Sequence, residues 1–167
     1  IGRLWMLADN MREAATFFRE ALALDPAYGL AADLLATALW NEGDIAGVRD
    51  ALEQRAAAAT NPVERLAVRF KAATVHPPLA KDDGEIDGLR ARYESFLTAG
   101  PETTVPDPWK IGLGLNIFAD YHARPDRALR EAAAAYFRAA TPSLAENLAA
   151  KRPPGQKFRI GFASHYF

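Results

Sequence analysis

Slid against itself by 34 residues, the chain superposes like on like: Ile1 falls on Leu35, Gly2 on Ala36, Trp5 on Leu39, Asp9-Asn10 on Gly43-Asp44, Ala14 on Val48 and Phe18 on Leu52. A period of this length holds two short helices and a turn, and such a unit buries its apolar side by stacking on the next one. Alanine supplies 35 of the 167 residues and is dense between Ala8 and Ala38 and between Ala128 and Ala140. It is the best helix former, and its small side chain lets paired helices approach closely. The chain is therefore expected to be mostly α.

Ala14-x3-Phe18, followed by Leu22 and Asp25-Pro26, resembles the second-helix half of the tetratricopeptide pattern, with Pro26 ending that helix. Gly2 and Trp5 stand where that pattern has its small residue and its aromatic in the first helix. A second, degenerate repeat covers roughly Gly29 to Ala59, with Val48 and Leu52 in place of the alanine and phenylalanine and a late Pro62. Residues 1–62 are read as tetratricopeptide-like hairpins of an α–α superhelix. A generic alanine-rich hairpin is the competing account.

Residues 63–150 read as a helical connector. The spacing predicts a helix over 63–73 with Leu66, Phe70 and Ala73 on one face, stopped by His76-Pro77-Pro78. A polar turn at Lys81-Asp82-Asp83-Gly84 precedes a helix carrying Ile86, Leu89, Tyr93, Phe96 and Leu97, with Gly100-Pro101 behind it. Glu102 to Asp107 reads as a linker and Pro108 to Tyr121 as a helix weakened by Gly112 and Gly114. Asp126 is the candidate N-cap of a last helix with Leu129, Ala133, Tyr136, Phe137 and Ala140. Residues 151–167 change character. A basic Pro/Gly linker leads into Phe158-Arg159-Ile160-Gly161-Phe162-Ala163-Ser164, which alternates at strand period. A single strand cannot pair its own backbone, so this one is expected to be the first β-strand of a truncated α/β domain. With Ile1 at the start and an apolar stretch at Phe167, the chain is expected to be a fragment.

Twenty basic against twenty-one acidic residues leave a formal charge of −1, which argues against nucleic acid or an anionic membrane surface as partner. The absence of cysteine removes disulfides, thiol catalysis and thiolate metal sites, and is compatible with a reducing compartment. No apolar run reaches the ~18–20 residues of a membrane span. The chain is expected to be cytoplasmic.

Candidate chemistry is sparse. His76, His122 and His165 lie far apart without metal-ligand spacing, Gly112-x-Gly114 lacks the context of a phosphate loop, and Ser164 and His165 would point to opposite faces of a strand. Asp82 and Asp83 suit solvation and capping. The best binding candidate is the stripe Asp33, Thr37 and Trp40 on one helix face, a polar–aromatic surface of the kind that lines the inner groove of a solenoid. Trp40 packed against the following hairpin is the equally weighted alternative. The partner is expected to be a protein or peptide, or a second copy of the chain. No catalytic residue, metal ligand or cofactor site is assigned.

The strand from Phe158 to Ser164, with its basic Pro-rich joint and a following aromatic, resembles the opening of the catalytic region of bacterial O-GlcNAc transferase-like (SPINDLY-like) glycosyltransferases linked to tetratricopeptide repeats. Phe70-Lys71-Ala72-Ala73, Pro77-Pro78, Glu85-Ile86, Arg90-x-Arg92-Tyr93-Glu94 and Asn116 to His122 through Asp126-Arg127 resemble the helical connector of that family. The resemblance implies a parent that transfers sugar from a nucleotide-sugar donor to a protein hydroxyl through two Rossmann-like lobes. It implies equally that this chain is inactive alone, because the family's catalytic His-Pro motif would follow Phe167. His165 precedes that position and takes no such role. The asparagine ladder of the animal enzymes' groove is absent, since Asp33, Thr37 and Trp40 occupy the stripe. A tetratricopeptide-like interaction scaffold without any transferase is the alternative.

Overall fold

The 34-residue shift reappears in the backbone. A computed structural model describes residues 1–77, 79–113 and 122–145 of the chain. Helices α1 (Gly2–Leu7), α2 (Met11–Leu24), α3 (Gly29–Asn41) and α4 (Ile45–Ala58) form two successive hairpins, and α4 repeats the bounds of α2 34 positions later. The turns repeat as well. Asp9 and Gly43 take left-handed conformations with φ of 57° and 76°. The next N–H groups, of Asn10 and Asp44, donate to the carbonyls of Trp5 and Leu39, both at 2.9 Å, while those of Asp9 and Gly43 reach Met6 and Trp40 at 3.1 and 3.0 Å. This pair of bonds is the Schellman ending, which satisfies carbonyls that a helix end would leave orphaned. The side chains of Asn10 and Asp44 then cap the following helices by accepting from the Glu13 and Gly47 N–H groups at 3.5 and 2.9 Å.

Small and large residues alternate at the hairpin seam. A Cβ at Gly2 would stand 2.7 Å from the Phe18 ring, so the backbone of α1 lies directly on that ring. The second hairpin sets Ala36 and Leu52 at the equivalent positions, both buried. A larger residue on one helix answers a smaller one on the other, which keeps the seam filled.

Helix α5 (Pro62–Thr74) joins the two halves of the molecule. Asn61 caps it by accepting from Val63 and Glu64, and Pro62 occupies the first turn, where a missing N–H costs nothing. One face puts Val68 and Ala72 into the core of the hairpins with Phe18, Leu35, Leu39, Val48 and Leu52. The other carries Leu66 and Phe70 into a second core with Tyr93 and Leu97 of α6 (Asp83–Ala99) and Leu129, Ala133 and Tyr136 of α7 (Arg127–Ala140). Sequence periodicity finds the Leu66, Phe70 and Ala73 face and misses the opposite one, because alternating Val and Ala within a two-sided helix blur the 3.6 period.

Helices α5 to α7 lie close to where the apolar spacing predicts helices, with several differences in between. The Lys81 to Gly84 turn is the start of α6: Asp82 is its N-cap, accepting from the Glu85 N–H at 2.8 Å. Glu102 to Asp107 is no free linker, since the Val105 N–H donates to the Ala140 carbonyl at 2.7 Å and its side chain is buried. Glu102 takes Arg65 at 2.9 Å and also Arg69, and these two hydrogen bonds hold its carboxyl below the usual carboxylate range. Of the helix expected from Pro108 to Tyr121, the described residues show a 3-10 turn, Trp109–Ile111, ended by Gly112 in a left-handed conformation (φ 74°). Its continuation, 114–121, lies outside the described residues, as do Pro78 and 146–167 with the expected strand. Asp126 occupies the N-cap position of α7 without capping it. Its carboxylate faces Arg90 of α6 at 2.7 Å instead, and the same guanidinium donates to the Pro125 carbonyl at 2.9 Å. The pairing is ionic, without hydrogen-bond geometry, and the opposite charge draws the carboxylate away from the backbone N–H of the helix. The described part is mostly helical and contains no strand, and none of its helices is long and apolar enough to cross a membrane.

Candidate functional site

Asp33, Thr37 and Trp40 do lie along α3, one turn apart, but their polar groups are engaged to different degrees. The Asp33 carboxylate is paired with Arg55 of α4, whose other nitrogen reaches Glu64 of α5 at 3.3 Å. Arg55 is 15% exposed and ties three successive helices together. The Thr37 hydroxyl donates to the Asp33 carbonyl at 2.9 Å, and the Asn41 amide donates to the Thr37 carbonyl at 2.8 Å. Such bonds back onto the preceding turn leave the Thr37 oxygen only its acceptor capacity for an outside ligand.

Trp40 is anchored at its polar tip and exposed along part of its ring. Its indole N–H donates to the His76 carbonyl at 3.2 Å, which fastens the segment after α5 to the end of α3. The ring nevertheless remains 41% exposed. An aromatic face whose polar tip is already satisfied is a rigid apolar contact surface with little conformational entropy to lose.

Beneath that contact lies His76, a residue to which the sequence assigns only a helix stop. It is 5% exposed, and its Nδ1–H donates to the Thr74 carbonyl at 2.6 Å. Its ring stacks at a tilt on that of His122, with centroids 5.4 Å apart. Burial pushes both imidazoles below their ordinary range. For His76 the Thr74 bond opposes the shift and His122 adds to it, whereas for His122 the Arg90 charge adds to burial and Asp126 opposes. No spacing rule could pair residues 76 and 122, because the contact arises where the α5–α6 segment meets the corner before α7.

The remaining candidates do not assemble a reaction centre. Asp82 caps α6, and Asp83 pairs with Arg124 at 2.9 Å. Among the described residues no group of three histidine or carboxylate side chains converges at metal-binding distance. Ser164 and His165 fall outside the described residues. No protein-family model, curated protein or solved structure matches this chain.

Proposed function

We propose that the chain is a non-catalytic module of tetratricopeptide-like hairpins and helical connector that presents a protein or peptide partner, using the α3 face around Trp40. The observation that carries this reading is the repeated unit itself: two hairpins whose second helices share bounds, and whose first helices end, turn and cap alike, 34 residues apart. Repeats stacked this way hold one helix of each pair on a continuous surface, where a rigid scaffold offers side chains to an extended or helical ligand. Trp40 is the exposed aromatic anchor on that surface, and Thr37 stands one turn before it. The further proposal is that this module serves a protein O-glycosyltransferase using a nucleotide-sugar donor. It is favoured by the Phe158 to Ser164 segment and its basic Pro-rich joint.

The test compares the wild-type chain with Trp40→Ala and Thr37→Arg as bait, with Arg3→Ala as a remote surface control. A partner held by wild type and Arg3→Ala should bind the two α3 variants about tenfold or more weakly, the loss expected of an aromatic hot spot. Equal binding by all four removes α3 as the docking face. Incubation with a nucleotide-sugar and a protein acceptor should yield no transfer, and measurable turnover would overturn the non-catalytic reading. A coding sequence that runs on beyond Phe167 into a His-Pro motif and an α/β region would support the transferase setting.

A further inference from the structure

A cleft of about 620 Å³ opens between the start of α4, the segment joining α5 to α6, and the first half of α6. Its apolar wall includes Leu79 and Leu89, and three cations line it: Arg49 of α4, Lys81 of the joining segment and Arg92 of α6. Arg92 Nη1 is shut off from solvent and makes no hydrogen bond among the described residues. Neither Arg49 nor Arg92 has an ion pair within 4.0 Å among those residues. Other arginines of the chain do. Arg55, Arg65, Arg69, Arg90 and Arg124 each hold a carboxylate. Burial works against the Arg92 cation, and the Arg49 charge works further against it, with only Glu53 as partial relief. A guanidinium placed half-buried beside another, with Glu53 acting on it but no ion pair formed, is costly unless an anion arrives between them.

The two carboxylates on the wall are already employed. Asp44 accepts the Gly47 N–H at 2.9 Å as the cap of α4, and Glu85 accepts the Lys81 backbone N–H at 2.6 Å. Among the lining residues, three cations against these two acids leave one net positive charge, with Glu53 outside the lining also acting on Arg92. That balance suits a single carboxylate, whereas a phosphate dianion would reverse the sign of the cleft. The leucines provide a surface for apolar groups next to the anion, and the volume lies in the range of pockets that enclose a short ligand segment.

We propose that this cleft receives an aspartate or glutamate side chain from an acidic–apolar segment of a protein partner, with the carboxylate between Arg49 and Arg92 and its apolar neighbours on Leu79 and Leu89. The proposal rests on the reading of the chain as a partner-binding module and specifies the chemistry of the segment it takes. Arginine suits the role because its planar fork can grip both carboxylate oxygens at once.

The direct test titrates the full chain, with nitrogen-15 label, with acetyl-Leu-Glu-Leu-amide and follows the Arg49 and Arg92 Nε–H signals. Saturable shifts of both signals are expected. The Gln counterpart of the peptide should bind about tenfold or more weakly, as should Arg92→Gln and Arg49→Gln with the original peptide, the factor expected for a charged hydrogen bond. Inorganic phosphate should bind more weakly than the Glu peptide. Absence of saturable shifts up to about 10 mM peptide, well below ordinary affinity for a dedicated site, overturns the proposal, as does equal binding of the Gln peptide. Stronger binding of phosphate would assign the cleft to a phosphorylated ligand and overturn the carboxylate. Because the wild-type titration reads the cleft itself, its failure with partner capture through Trp40 intact removes this site and leaves the module's function standing.

Discussion

Replacing Phe70 by alanine should separate the two halves of the molecule energetically. Phe70 is 4% exposed and sits in the second core, with ring centroids 6.3 Å from Tyr93, 5.9 Å from Phe96 and 6.0 Å from Phe137. Truncating a buried phenylalanine costs about 3–5 kcal/mol through lost transfer energy and the cavity left behind. Three tilted or edge-on ring contacts, each worth about 0.5–1.5 kcal/mol beyond the buried area, keep this residue away from the bottom of that range. Among the described residues the two cores meet only through α5, so the damage should stay mainly on the α6 and α7 side of that helix. Urea unfolding measures the total, and native-state amide exchange locates it. Amides of α6 and α7 should lose protection equivalent to about 4 kcal/mol, while those of α2 and α3 lose less than half as much. A total loss below about 2 kcal/mol, outside the usual range for a buried phenylalanine, would refute the packing argument. Uniform loss across all helices would refute the division into two cores.

Two smaller perturbations probe the caps and the histidine pair. Asp44→Ala should cost about 1 kcal/mol of stability and Asn10→Ala about half that, since the Asn10 cap bond is long at 3.5 Å and the Asp44 bond is 2.9 Å. Their effects should add in the double variant, because the two side chains share no partner, and equal costs measured in urea would show that cap distance does not govern the loss. With His76 and His122 both held below the ordinary imidazole value of 6.5, the unfolded chain binds more protons than the folded one as the pH falls from there. Stability is therefore highest above pH 6.5, declines as the pH drops through the lowered folded values, and levels off below them. The thermal midpoint of wild type minus that of His76→Gln, followed from pH 8 to pH 5, isolates the effect from the carboxylates. A difference independent of pH would remove the histidine pair as its source.

Much of the fold was readable before any coordinates. The period of 34, the proline and glycine stops and the three-and-four spacing of Ile86, Leu89, Tyr93, Phe96 and Leu97 located most helices to within a few residues. These features are local: a cap, a stop or an amphipathic face depends on residues within one or two turns, so the chain order displays them. The errors came where a distant partner overruled the local preference. Asp126 gave its carboxylate to Arg90, and Glu102 to Asp107 was pinned by Arg65, Arg69 and the end of α7. Among the described residues after Pro108, a 3-10 turn ends at Gly112 where an α-helix is expected.

The binding surface divides along the same line. Asp33, Thr37 and Trp40 share a helix face by spacing alone, so the order of residues was enough to propose them. That Arg55 occupies Asp33, that the Trp40 N–H is bound to the His76 carbonyl, and that Arg49 and Arg92 meet across one cleft were matters for the tertiary structure. Periodicity decides which side chains lie on one side of one helix. Which charges meet from different helices follows from how the helices stack, and α5, buried on two faces, sets that stacking.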